Sequence, residues 1–189
     1  MRIISGFAGS LTLRVPRSGT RPTSDRTREG VFSSLDSRGA SDGARVLDLY
    51  AGSGALGLEA VSRGATSAVL VDRASDAVAV CRQNAALVLR AAPKGDAPQV
   101  TVENRTAISF LERSRAFFDL VFIDPPYDIA ETELTRLLEL LVPRLAPDAD
   151  IVLERSTRSP EPTWPAGIEV LRQRPYGETL VHFATTAAD

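Results

Sequence analysis

From Arg45 to Glu154 the chain alternates short apolar runs with longer stretches of helical pattern, and that alternation restricts the fold more than any other property. The apolar runs lie at residues 45–49, 67–72, 99–103, 118–123 and 149–154. They have strand length and are rich in Val, Leu and Ile, as strands covered on both faces are. Residues 54–63, 74–90, 106–114 and 130–142 are long enough to fill the intervals as helices. Strand followed by helix, repeated, specifies an α/β fold with a parallel sheet between two helical layers. After Glu154 the pattern changes to the loop Ser156-Thr157-Arg158-Ser159-Pro160-Glu161-Pro162. Two strand-like runs follow, 168–174 and 179–184, with Tyr176-Gly177-Glu178 between them. So short a connection requires antiparallel pairing, so the sheet is expected to end in a hairpin.

The segment before Arg45 has a different character. Arg2-Ile3-Ile4 and Leu11-Thr12-Leu13-Arg14-Val15 suggest a small β-hairpin, and residues 16–22 read as loop. Thr23-Ser24-Asp25 can cap a helix reaching about Leu35. Residues 1 to 45 carry eight arginines against four acidic residues, a balance of +4, whereas the whole chain stands at -2, which leaves -6 for the remainder. Arginine is the side chain best suited to bidentate phosphate contact and base stacking. We therefore divide the chain into an N-terminal nucleic-acid-facing extension, residues 1–44, and a main domain, residues 45–189, with Arg21, Arg26 and Arg28 as candidate phosphate contacts; the competing reading is an arginine-rich composition throughout, since Lys94 is the one lysine of the chain. The alternative for Arg26 and Arg28 is an ion pair with Asp25 or Glu29 that docks the helix.

Several chemistries are excluded by scarcity. The chain has one cysteine, Cys81, and one histidine, His182. They support neither a disulfide nor a zinc site, so no metal is expected. Cys81 falls on the apolar face of a helical pattern, where it reads as a small buried hydrophobe. A triad hydrolase would have to use His182, yet no G-x-S-x-G nucleophile elbow occurs. No apolar stretch approaches the roughly 18 residues of a membrane span, and the first residues lack the apolar core of a secretory leader. A cytoplasmic protein without membrane contact is expected.

The run Phe118-Asp119-Leu120-Val121-Phe122-Ile123 ends in Asp124-Pro125-Pro126-Tyr127. Two consecutive prolines stop the hydrogen-bond ladder and push the residue before each out of helical space. The resulting stiff loop can hold a carboxylate (Asp124), a backbone carbonyl and an aromatic face (Tyr127) in fixed relation. That set matches a planar base bearing an exocyclic amino group. Carboxylate and carbonyl each accept one N–H, and the ring stacks on the base. The competing reading is a turn in which Asp124 caps the helix that begins near Ala130.

A second motif precedes it in the chain. Asp48-Leu49-Tyr50-Ala51-Gly52-Ser53-Gly54-Ala55-Leu56-Gly57 reads as a strand end, a glycine turn and a helix start. Glycines there let backbone approach a ligand closely. Asp72 ends the next apolar run, where a carboxylate can accept both hydroxyls of a ribose. Gly52, Gly54 and Gly57 also satisfy G-x-G-x-x-G, so a nicotinamide-dependent dehydrogenase competes. Asp48 argues against it, because a carboxylate beside a pyrophosphate would be repelled, and no room remains for a substrate domain.

Taken together, Arg21-Pro22-Thr23-Ser24-Asp25-Arg26-Thr27-Arg28-Glu29, Val31-Phe32, Asp48 through Ala60, Asp124-Pro125-Pro126-Tyr127 and the late Tyr176-Gly177-Glu178-Thr179 resemble the RsmD-type bacterial methyltransferases of 16S ribosomal RNA, which modify a guanine at N2. The resemblance covers nearly the whole chain. It implies a class I S-adenosylmethionine-dependent methyltransferase fold, Rossmann-like, with seven strands and a small N-terminal extension. It implies 16S rRNA in an assembling small ribosomal subunit as substrate and a monomeric enzyme. Asp48, Tyr50, Ala51, Gly52, Ser53, Gly54, Gly57, Asp72, Arg73, Thr106 and Ala107 are then expected to bind S-adenosyl-L-methionine. Asp124, Pro125, Pro126 and Tyr127 are expected to act on the guanine. Thr106 departs from the Asn or Asp of many relatives, which opens the question of how adenine is recognised there. Two alternatives stay open: an N6-adenine methyltransferase of DNA or RNA, whose exocyclic amine suits the same tetrapeptide, and a noncatalytic RNA-binding assembly factor.

Overall fold

A computed structural model of the chain describes residues 1–16, 25–95 and 97–187. Arg21 and the expected capping residues Thr23 and Ser24 lie outside them. Strands β1 (Arg45–Leu49), β2 (Ser67–Asp72), β3 (Gln99–Asn104), β4 (Phe118–Ile123), β5 (Leu145–Ser156), β6 (Ile168–Tyr176) and β7 (Thr179–Thr186) form one sheet in the order β3-β2-β1-β4-β5-β7-β6. The first five run parallel, and β7 lies antiparallel between β5 and β6. The expected hairpin is present: Tyr176 pairs with Thr179 across Gly177, whose φ of 62° is the left-handed turn conformation that glycine adopts without strain.

Helices α1 (Asp25–Asp36), α2 (Ala55–Ser62) and α3 (Ser75–Arg90) contribute to the core on one face of the sheet. Helices α4 (Ala107–Arg113) and α5 (Glu131–Leu141) pack on the other. The alternation along β1 makes the division visible. Val46 faces the first layer with Phe32, Leu58 and Phe122, while Leu47 and Leu49 face the second with Leu111 and Leu137. Each such aliphatic side chain, fully buried, contributes on the order of 1.5–3 kcal/mol.

Two expectations needed correction. β5 begins at Leu145 rather than near 149, because the ladder with β4 passes over a bulge: Phe118 pairs with Leu145, then Leu120 with Asp150. Asp148 takes a left-handed φ of 57° in that bulge, so Pro147-Asp148 lies inside a strand. The N-terminal hairpin is reduced to a single antiparallel bridge, Arg2 with Thr12. The N–H groups of Ile3, Ser10 and Leu13 still bond across it, to Leu11 O, Ile3 O and Met1 O, while those of the connecting residues find partners on α2. Ile4 and Ser5 donate to the Glu59 carboxylate of α2, and Ala8 donates to Ser62 Oγ. Ile3, Ala8 and Leu13 are buried in the same core as Leu58 and Val61.

Candidate active site

The carboxyl ends of β1, β2 and β4 converge, and each delivers an aspartate. Asp48 on β1 is 1% exposed and accepts the Gly57 N–H of α2 at 2.9 Å. A Cβ on Gly57 would overlap Leu70 and stand 3.2 Å from Asp48 Oδ2, so only glycine lets the helix approach this closely. Burial pushes the Asp48 carboxyl up to about 7, the Gly57 N–H opposes this, and the charges of Asp124 and Asp72 add to it.

Asp72, at the end of β2, accepts the Gly52 N–H and the Ala74 N–H, both at 2.8 Å. Each carboxylate oxygen has a second lone pair, so both hydroxyls of a ribose can still be accepted. Between the two aspartates the chain turns sharply. Tyr50 has a φ of 65°, Gly52 55° and Gly54 79°, and the Gly54 N–H bonds the Ala51 carbonyl at 2.7 Å. Half-buried Tyr50 has its phenol pushed up to about 12, mostly by burial, with Glu133 adding and Arg73 opposing. Arg73 is exposed, and Asn104 holds its carbonyl at 3.0 Å. Thr106 is the cap of α4, its Oγ1 accepting the Ser109 N–H at 3.1 Å, and Ala107 is buried. The departure at Thr106 thus has a local role in starting a helix.

The Asp124 N–H makes the last link of the ladder, to Leu49 O at 3.4 Å, and the two prolines end it. Pro125 is buried, Pro126 is exposed, and Tyr127 is 54% exposed. The Pro126 carbonyl accepts the Ile129 N–H at 3.0 Å, which closes the loop before α5. The cap of α5 is Ala130, without a side-chain bond, so the reading of Asp124 as helix cap fails. The far end of this loop is tied by an ion pair between Glu131, first residue of α5, and Arg155, which is buried on β5.

Arg28 is corrected as an RNA contact. Its side chain is fully buried, with NH2 donating to Arg2 O at 2.7 Å and to Asp25 at 2.6 Å, and with Glu59 at 3.9 Å. Its neighbour on α1, Arg26, is exposed. His182 is buried on β7 with its ring 5.8 Å from that of Trp164, and burial pushes its pKa below the ordinary value. Cys81 is buried with its thiol pushed up by burial. Among the described residues no cluster of His, Cys, Asp and Glu is placed to hold a metal, and no helix is long and apolar enough to cross a membrane.

Three residues that the sequence reading missed brace the segments around the site. Glu59 is a single charge in the otherwise apolar Leu56–Val61 run, and Asn84 lies on the buried stripe of α3 with Cys81 and Val88. A polar residue on an apolar face was the available signal. Arg155 gave none, since its partner is 24 residues away.

The fold and this arrangement of aspartates define a class I S-adenosylmethionine-dependent methyltransferase. The donor set fits the cofactor, because a ligand carrying sulfonium and ammonium charges relieves the mutual repulsion of Asp48, Asp72 and Asp124. The chain belongs to the family described as conserved hypothetical protein 95, whose model matches residues 1–185, and with it to the RsmD-type group indicated by its motifs. It is 36% identical over 181 residues to ribosomal RNA small subunit methyltransferase D of Escherichia coli K12, covering 94% of this chain and 86% of that protein. The solved structure of yhhF from Escherichia coli matches with a TM-score of 0.84 and 34% identity, covering 100% of this chain and 99% of that one. Magnesium protoporphyrin IX methyltransferase of Synechocystis, solved with bound SAM, shares the fold at a TM-score of 0.66 and 17% identity, over 86% of this chain and 79% of that one.

Proposed function

We propose that the chain transfers a methyl group from S-adenosylmethionine to the exocyclic N2 of a guanine in 16S rRNA of the small ribosomal subunit. The observation that carries this is the loop Asp124-Pro125-Pro126-Tyr127 at the carboxyl end of β4, the strand next to the one that bears Asp48, with its ring exposed. The name of the Escherichia coli relative supports the RNA class. The cofactor supplies an electrophilic methyl. Asp48 and Asp72, with the Gly52–Gly57 turn, would hold it, with Arg73 just after β2 and Thr106 and Ala107 just after the adjacent β3.

Guanine N2 is a weak nucleophile because its lone pair is delocalised into the ring. Asp124 and the Pro125 carbonyl each accept one N2–H, drawing the nitrogen toward tetrahedral geometry and aiming its lone pair. Alignment of this kind can supply several of the roughly 7–11 kcal/mol available from orientation. Tyr127 stacks on the face of the unpaired guanine. The proton lost on methyl transfer passes to Asp124 or to water, since the methylated nitrogen is acidic enough for either. Arg21 and Arg26 are the proposed phosphate contacts. Their effect is steeply salt-dependent, since each neutralised phosphate releases counterions. We place the enzyme in the cytoplasm as a monomer acting on an assembling small subunit.

The test is transfer of labelled methyl to small subunits from a strain lacking its own enzyme of this type, followed by nucleoside analysis. N2-methylguanosine is expected. Methyladenosine would reassign the chain to N6-adenine methylation, and no transfer despite cofactor binding would favour a noncatalytic assembly factor.

A further inference from the structure

Asn84 on α3 is fully buried and makes three hydrogen bonds, none of which a helix needs. Its Nδ2 donates to the Ser53 carbonyl in the glycine turn at 2.8 Å and to the Arg14 carbonyl at 2.9 Å, while Oδ1 accepts the Arg14 N–H at 2.9 Å. One amide therefore grips the turn proposed to hold the cofactor and, with its remaining bonds, the N-terminal segment. A polar group buried this fully is costly unless every bond is made, so turn and segment are held in one relative position.

The segment extends this connection. The Leu13 N–H bonds Met1 O at 3.0 Å, and the Ile3 N–H bonds Leu11 O at 2.9 Å. The Arg2 carbonyl then accepts from Arg28, inside α1. The Ile4 and Ser5 N–H groups donate to the Glu59 carboxylate on α2, at 2.7 and 3.0 Å, which clamps the middle. Ser53 Oγ also lies 3.4 Å from the Met1 sulfur. An unbroken series of hydrogen bonds thus joins the glycine turn to the helix that carries exposed Arg26.

We propose that Asn84 is a positioning residue that couples the cofactor turn to α1 through residues 1–14, so that cofactor and RNA bind with positive linkage. This rests on the proposed RNA substrate. Local opening of the Gly52–Gly54 turn breaks the bond between Asn84 and the Ser53 carbonyl and loosens the segment that Asn84 also holds, so a ligand seated on either side disfavours the same open state. Linkage is reciprocal, so RNA tightens the cofactor by the same factor.

The experiment measures the affinity of small-subunit RNA with and without saturating S-adenosylhomocysteine, and of S-adenosylhomocysteine with and without RNA. In the native chain each ligand is expected to tighten the other by about fivefold or more. Asn84→Ala is expected to abolish that gain while leaving RNA affinity without the cofactor product within about twofold, a pattern that simple loss of stability does not produce. A native chain that methylates RNA but shows no linkage overturns the coupling alone. Linkage retained in Asn84→Ala overturns the role of Asn84. Absence of both RNA binding and methyl transfer overturns the coupling together with the functional reading it rests on. The native-chain arm decides the coupling even where Asn84→Ala does not fold.

Discussion

The proposed cofactor side and the proposed acceptor side of the sheet's carboxyl edge are built by opposite means. On the cofactor side, Asp48 and Asp72 accept the N–H groups of Gly57, Gly52 and Ala74, within 2.8–2.9 Å. The turn is a mesh of short bonds, with Asp48 almost fully buried. On the acceptor side, Pro125-Pro126 stiffens the loop by covalent geometry, one ion pair from Arg155 anchors its end, and Tyr127 stands exposed. A small ligand needs enclosing donors and acceptors fixed in advance, whereas a base on a large RNA needs a rigid ledge that leaves room for its chain. The difference teaches that damage on one side should weaken cofactor binding, and damage on the other should slow turnover.

Asp124→Asn should break the comparison most sharply. Turnover is expected to fall about 100-fold or more while S-adenosylmethionine affinity changes little, measured by methyl transfer and by calorimetric titration. Equal losses in both would merge the two sides. Gly57→Ala is the mirror case: the added Cβ overlaps Leu70 and crowds Asp48, so a stability loss of about 1–3 kcal/mol in a denaturant melt and weaker cofactor binding are expected. Tyr127→Ala should cost roughly 1–3 kcal/mol of base stacking, read as a raised KM for RNA with unchanged cofactor affinity.

The pH dependence of the cofactor side is next in size. The Asp48 carboxyl stands at about 7 against an ordinary 3.8, so its contribution to folding is full below about pH 4 and is lost as pH rises through 7. A cationic ligand favours the ionised form, so cofactor affinity should increase about tenfold from roughly pH 6 to pH 8. Asp48→Asn should remove that increment, and comparison with it isolates the protein's proton from the ligand's own. Arg26→Glu should have the smallest effect, weaker RNA binding with the slope of log affinity against log salt lowered by about 1. Arg28→Met, two residues along the same helix but buried, should instead cost about 2 kcal/mol of stability through its charge-assisted bonds and leave the salt slope unchanged.

Those last two arginines show where reading a sequence stops. Both lie in one arginine-rich stretch, and nothing in their order distinguishes a buried anchor from an exposed cation. Arg28 turns inward because α1 packs with Phe32 against Phe122, rings 5.6 Å apart, which places position 28 beside Arg2 and Glu59. Elements whose signal is local were legible: β1, β2 and β4 fall on the residues their apolar runs marked, and the glycine turn follows Asp48 as its spacing required. The start of β5 was not, since a bulge at Asp148 is imposed by pairing with β4.

What the sequence alone determined was therefore everything whose cause lies within about a dozen residues: periodicity, glycines where a backbone must turn, prolines where a ladder must end, and the aspartates set between them. Tertiary structure alone decided which polar residues close the bonds between distant segments. Glu59 holding residues 4 and 5, Asn84 joining Arg14 to Ser53, and Arg155 bracing Glu131 span 24 to 70 positions of chain. The physical reason is that a buried polar group is satisfied by whatever the packed layers bring to it, and which segments those are is settled only when the sheet has closed on both faces.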